Sequence, residues 1–232
     1  FPMFSYKKGA DWVAVSNTDF IEQVNSASKG LIAQGVQPGE KVALISENRI
    51  EWNILDFAIQ QIGAVVVAIY PNISESDYSY IFNHAEIKNC IVSSRKLYTK
   101  IISIQDSCPL LNDIFTLDKE DNLPHWQNFV AMGFSITDDE LHTRRDAVHT
   151  DTLASIIYTS GTTGNPKGVM LAHRNLLADT ISSEYSFPVE RGDRALSFLP
   201  VCHAYERVFQ YVYMYKGLTI FFAQSMDTIG ED

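Results

Sequence analysis

The stretch Ala64-Val-Val-Val-Ala-Ile-Tyr70 restricts the fold of this chain more than any other. It is an apolar run without polar alternation, so as a strand it must be covered on both faces, and Pro71 ends it. Upstream, Lys41 to Ser46 reads as a second strand. Between the two, Trp52, Leu55, Ile59 and Ile62 recur at amphipathic helical spacing until Gly63. Strand, helix, strand in that order requires a parallel crossover. The pattern continues with a helix opened by Ser74 that carries Tyr80, Ile81 and His84, then a strand at Cys90 to Val92. A helix through Leu97, Ile101 and Ile104 follows, and then a strand at Ile114 to Thr116. The predicted class is therefore α/β, with layered parallel-rich sheets flanked by helices.

Phe4 to Tyr6 and Trp12 to Val15 form a hairpin around a turn at Lys7 to Asp11. Ser16 with Asp19 makes a capping box, after which Phe20, Val24, Ala27 and Leu31 share one helical face until Gly35. From 118 to 151 the composition turns polar and charged, which predicts an exposed connection with one short helix near Trp126 to Ala131. Beyond it come a strand at Ser155 to Thr159, another at Val169 to Leu171, a helix from about Arg174 to Tyr185 and a strand at Arg194 to Phe198. The last helix has Tyr205, Val208, Val212 and Tyr215 on one face with Tyr211 at its edge, and Gly217 ends it before a strand at Leu218 to Phe222. That aromatic stripe is read as core packing, with the wall of a substrate tunnel as the alternative.

The chain is long enough, at 232 residues, to bury a sizeable core, and its formal charge of −10 argues against a nucleic-acid partner. Three irregularly spaced cysteines fit a reduced compartment, and the six histidines show no metal-ligand spacing, so no metal site is expected. The longest apolar run is too short to span a bilayer. The chain opens on Phe1 and stops soon after a strand-like run, which suggests a piece of something longer. The expected location is cytoplasmic, with membrane association of the longer protein as the alternative, and membrane contact is not encoded in this portion.

Between two of those strands lies Tyr158-Thr-Ser-Gly-Thr-Thr-Gly-Asn-Pro-Lys-Gly168. Glycines let backbone N–H groups turn toward an anion, the hydroxyls of Thr159, Ser160, Thr162 and Thr163 add donors, and Lys167 supplies a point charge. A Walker loop would place Ser or Thr after the lysine and open a helix. Here Pro166 precedes Lys167, Gly168 follows it and a strand comes next. On residues alone the loop also suits an ordinary surface hairpin, and His203 suits a structural histidine. Cys202 beside His203 is not read as a nucleophile and base, because neighbours in sequence point in different directions. His173 and Asn175 are read as starting and capping the following helix. Glu206 and Arg207 are read as pairing with each other or capping theirs.

The run from Tyr158 to Asn175 closely resembles the signature of the adenylate-forming, AMP-binding enzymes. Pro38 to Leu44, Glu47 to Trp52, Gly63 to Pro71 and Tyr80 to Lys88 resemble the amino-terminal portion of those enzymes in the same order. Leu199-Pro-Val-Cys-His-Ala-Tyr-Glu-Arg207 resembles a later motif in the form that long-chain fatty acyl-CoA synthetases carry. The resemblance implies part of the large N-terminal domain of such an enzyme, incomplete over 1–232. Its parts would be a first α/β portion at 1–117, the connection at 118–151 and the phosphate-loop portion at 152–232, with the C-terminal domain lying elsewhere.

The implied function is that of an ATP-dependent long-chain fatty acid–CoA ligase using ATP, Mg²⁺ and coenzyme A, with this portion alone inactive. Other adenylate-forming activities, on aryl or amino acids or with a carrier-protein acceptor, and a non-catalytic nucleotide-binding module are the alternatives. The implied nucleotide-binding residues are Thr159, Ser160, Gly161, Thr162, Thr163, Gly164 and Lys167. The implied catalytic residues are Lys167 and His203, the latter near the substrate carboxylate and the α-phosphate.

Overall fold

The computed structural model describes residues 2–159, 164–186 and 188–230. The chain opens as the expected hairpin, β1 (Pro2–Lys8) against β2 (Asp11–Ser16), turning at Gly9 with φ +67°. Helix α1 (Asn17–Ala33) starts at the expected capping box: the Asp19 N–H donates to Ser16 Oγ at 3.1 Å, and the Ser16 N–H donates back to the Asp19 carboxylate. Phe20, Val24, Ala27 and Leu31 are all buried.

Strand β3 (Lys41–Ile45), α2 (Ile50–Gln61) and β4 (Val65–Ala68) form the expected crossover, with β3 and β4 parallel. Helix α3 (Glu75–His84), β5 (Asn89–Val92), α4 (Arg95–Ile102) and β6 (Asp113–Thr116) extend it. Then follow α5 (Trp126–Met132), α6 (Asp138–Asp146), β7 (Leu153–Thr159), β8 (Lys167–Ala172) and α7 (His173–Glu184). The described elements close with β9 (Arg194–Ser197), α8 (Ala204–Lys216) and β10 (Thr219–Phe222).

Two sheets result. The larger runs β6-β5-β3-β4-β7-β8, parallel except for the antiparallel edge strand β8. The smaller runs β2-β1-β10-β9, so the N-terminal hairpin pairs through β1 with β10, Phe4 lying opposite Ile220 from the far end of the chain. Strand alternation divides the large sheet's side chains cleanly. Val42, Leu44, Val66 and Ala68 join a core with α1, α2 and the small sheet's Phe4, Ile220 and Phe222. Ala43, Ile45, Val65 and Val67 face the other way, onto Tyr78, Ile81, Phe82, Leu97 and Ile101 of α3 and α4.

This layering alters two expectations. Helix α2 reads as amphipathic, yet Trp52, Ile54, Leu55, Asp56, Ala58 and Ile59 are all fully buried, because the helix shares one core with side chains of both sheets. The 118–151 segment holds two α-helices rather than one short helix, with a 3-10 turn at Gly133–Ser135 between them. Helix α5 inserts Trp126 and Phe129 into the main core, and α1 approaches it so closely that a Cβ on Gly30 would meet the Phe129 carbonyl oxygen at 2.6 Å. Helix α6 is capped by Thr137, whose hydroxyl accepts from the Glu140 N–H at 3.2 Å, and it buries only Leu141. That lone apolar anchor gives no periodic signal, although Thr137 and Glu140 have capping-box spacing.

Candidate active site

Strand β7 is buried from Ala154 to Ile157 and reaches the surface at Thr159. It runs parallel to β4 on one side and antiparallel to β8 on the other. The hairpin register places Thr159 directly opposite Lys167, so the glycine-rich segment leaves one strand and enters another, and no helix begins among its described residues. Lys167 is exposed and already belongs to β8, two residues earlier than the expected strand. Gly164 lies in the loop with φ +99°, a conformation that favours glycine. Ser160, Gly161, Thr162 and Thr163 lie outside the described residues. Gly168 answers a different need: a Cβ there would come within 2.9 Å of Ile156 Cγ2 and 3.2 Å of Tyr158 Cζ. Tyr158 crosses that space and shares a 2.7 Å hydrogen bond with His84 Nδ1. Burial, with Tyr80 adding, pushes its phenol up to about 12.

Beyond the carboxyl ends of β4 and β7 lies a cavity of about 230 Å³, lined by Tyr70, Asp77, Thr159, Gly164 and Pro166 among others. Ligands of open α/β sheets favour this location. Tyr70 also faces the second expected residue, since its ring centroid is 5.4 Å from that of His203. His203 is exposed and stands as the N-cap of α8, its N–H donating to the Pro200 carbonyl at 3.0 Å. An exposed imidazole at a helix N-terminus faces the end that attracts anions. The structure thus brings Thr159, Gly164 and His203 around Tyr70.

The polar groups beneath His203 were not foreseen. Arg207 and Asp56 form an ion pair with almost no exposure, at 1% and 0% of their side chains. The Arg207 guanidinium also donates to Ser155 Oγ at 2.6 Å and to the Tyr211 hydroxyl at 2.9 Å, and it lies over the Trp52 ring. Tyr211 in turn donates to Asp56. Burial alone would lower the guanidinium pKa, but Asp56 and Tyr211 outweigh it and hold the value above the ordinary one. Arg207 therefore does not pair with Glu206. That carboxyl accepts from Ser197 Oγ at 2.6 Å and from Gln210, and burial raises its pKa against those hydrogen bonds.

These buried polar residues also alter the expected face of α8. Val208 and Val212 are buried as expected, but Glu206, Arg207 and Gln210 point inward beside them, whereas Tyr205 and Tyr215 are 65% and 60% exposed. Cys202 is buried, and its thiol is pushed up to about 12 by that burial, so no thiolate stands beside His203. Asn175 does cap α7, accepting the Ala172 N–H at 2.9 Å, and His173 is the first residue of that helix. Among the described residues no three His, Cys, Asp or Glu side chains converge as a metal site. A second, largely apolar cleft of about 640 Å³ lies between α1, α2, α7 and α8, lined by Phe20, Phe57, Leu176, Tyr211 and Met214 among others.

The chain is 30% identical over 221 residues to the long-chain-fatty-acid–CoA ligase FadD15 of Mycobacterium bovis, covering 94% of this chain and 36% of that protein. It is 32% identical to the chloroplastic long-chain-fatty-acid–[acyl-carrier-protein] ligase AEE15 of Arabidopsis thaliana, covering 82% and 28%. The chain thus spans about a third of the length of the curated relatives it matches. In fold it is similar to the crystal structure of a long-chain-fatty-acid-CoA ligase (FadD1) from Archaeoglobus fulgidus, with a TM-score of 0.83 at 20% identity over 97% of this chain and 44% of that one. The family model for the AMP-binding enzyme matches residues 3–230, nearly end to end, and the chain belongs to that family.

Proposed function

We propose that this chain is the nucleotide-gripping part of an ATP-dependent long-chain fatty acid–CoA ligase. In the proposed reaction a fatty acid carboxylate attacks the α-phosphate of ATP, the bond to the β-phosphate breaks, and pyrophosphate leaves. The thiol of coenzyme A then attacks the acyl carbon of the adenylate and AMP leaves. The observation that carries the reading is the hairpin itself. It holds Thr159 and Lys167 opposite each other at the carboxyl end of the parallel sheet, with Tyr70 linking its cavity to His203.

In this reading the loop amides, the hydroxyls of Thr159, Ser160, Thr162 and Thr163, and the Lys167 ammonium neutralise charge that grows as pyrophosphate departs. Gly161 and Gly164 leave room for the backbone to approach the phosphates. His203 faces the carboxylate and the α-phosphate from the N-terminus of α8. Mg²⁺ has no converging donor set among the described residues, and no step runs through it.

The apolar cleft is the proposed seat of the acyl chain, because it lies along the helix that presents His203. From His203 to Met214 that helix spans roughly 17 Å at 1.5 Å per residue, on the scale of a long acyl chain. Cytoplasmic placement belongs to the same proposal. Cys90, Cys108 and Cys202 are free thiols, and no helix among the described residues is long and apolar enough to cross a membrane.

The test is acyl transfer by the complete protein supplied with ATP and palmitate. Palmitoyl-CoA formation supports the ligase, and no thioester with any acceptor sinks it. A second reading, transfer to an acyl-carrier protein, is favoured by the similarity to AEE15, and preference for a carrier-protein thiol over coenzyme A selects it.

A further inference from the structure

We propose that Asn48 is the positioning residue for His203, fixing the turn that delivers the imidazole. The proposal rests on the adenylate-forming reading of the site. Asn48 lies in the connection between β3 and α2, within the Glu47 to Trp52 motif, and has no place in the phosphate loop. Its half-buried amide reaches about 150 residues along the chain and makes three hydrogen bonds to the segment that leads into His203. Nδ2 donates to the Leu199 carbonyl at 2.6 Å and to Ser197 Oγ at 2.9 Å, and Oδ1 accepts the Val201 N–H at 2.8 Å. An amide is suited to this task because it offers donors and an acceptor side by side, and here it satisfies a backbone carbonyl and a backbone N–H two residues apart.

The clamp is itself held. Ser93 Oγ donates to the Glu47 carboxylate at 2.6 Å. On the other side Arg49 forks onto Glu51 at 2.8 and 2.9 Å and reaches Asp118 at 2.8 Å. Both neighbours of Asn48 are thereby tied to the large sheet's surroundings, so the amide is a fixed reference rather than a mobile surface group. Across the contact, Ser197 passes the connection on to Glu206 at 2.6 Å, and the Arg207 N–H returns to the His203 carbonyl at 3.2 Å. His203 therefore stands at the free apex of a turn held from Asn48 before it and from the first turn of α8 after it. Its distance from a substrate carboxylate bound near Tyr70 is set by Asn48, which does not line the cavity beside Tyr70 itself.

The first test is fatty-acid-dependent exchange of labelled pyrophosphate into ATP by the complete protein, in the wild type, Asn48→Ala, His203→Ala and the double variant. Asn48→Ala is expected to lower kcat by about 10- to 100-fold, with the KM for ATP within about twofold of wild type. In the His203→Ala background the same change is expected to cost almost nothing further. An equal loss in both backgrounds overturns the proposal, since Asn48 would then act without His203. The second test needs no activity: the His203 ring resonances, identified by their loss in His203→Ala, are followed by NMR in the complete protein and its Asn48→Ala variant. His203 is expected to move or broaden while the histidines outside the contact hold still, and an unmoved His203 signal overturns the proposal. A wild type without exchange on any acid would remove the ligase reading, and the ring signals would still decide the role of Asn48.

Discussion

The two sides of the candidate site are held in opposite ways. The proposed phosphate loop emerges from an edge hairpin whose Thr159 and Lys167 are both exposed, and its demands on the backbone are local, as at Gly164 and Gly168. His203 is equally exposed, but the helix beneath it is bolted to α2 and β7 by a buried ion pair and its hydroxyl partners. One side is a chemically equipped loop on a scaffold, and the other is a single side chain on a rigid mount. The difference teaches that binding chemistry and positioning are encoded separately here: the first in a contiguous motif, the second in residues far apart in sequence.

The sharpest way to break the contrast is to cut the mount. Arg207→Ala leaves Asp56 buried without its counter-charge, and the expected loss is about 3–5 kcal/mol of stability, read from denaturant unfolding. A loss no larger than that of an exposed arginine would show the pair to be incidental. Lys167→Ala should do the reverse. The melting temperature is expected to stay where it is, because Lys167 is exposed, while pyrophosphate exchange by the complete protein falls about 10²- to 10³-fold. Gly168→Ala probes where the two sides meet: the added Cβ pushes on Ile156 and Tyr158, and the expected cost is about 1–3 kcal/mol, measured by thermal unfolding.

The smallest expected effect is a pH dependence. Because burial raises the Glu206 pKa in the folded state, the protonated form is favoured there. Its contribution to stability is full below the ordinary glutamate value and is lost as pH rises through the raised one. Glu206→Gln, which cannot ionise, is expected to flatten that decline in unfolding curves taken across the acidic range. A wild-type curve as flat as that of the variant would contradict the assignment.

Much of the fold was legible because its signals are local. The unbroken apolar run at Ala64 to Tyr70 announced a strand covered on both faces, and Val65 to Ala68 are buried in two opposite cores. Ser16 with Asp19, and Ser74, marked helix starts that the structure bears out. What stayed hidden was non-local or ran against hydrophobic periodicity. Nothing near Asp56 announces a partner 151 residues away. Helix α8 buries Val208 and Val212 as their spacing implies, but it also turns Glu206, Arg207 and Gln210 inward and leaves Tyr205 and Tyr215 outside, so counting apolar residues misplaces the edges of its buried face. Helix α6 has a cap but only Leu141 to bury, which left it looking like connection. In the site, the loop and His203 were legible as motifs, whereas Asn48, Asp56 and Ser155 carry no local sign of the contacts they make.

The central claim is that this hairpin and His203 belong to a site that activates long-chain carboxylates with ATP. Exchange of labelled pyrophosphate into ATP by the complete protein, measured across acids from acetate to palmitate and including aryl acids, tests it most directly. The account expects exchange that depends on added acid and is strongest with the long chains; no exchange with any acid in the panel would contradict it.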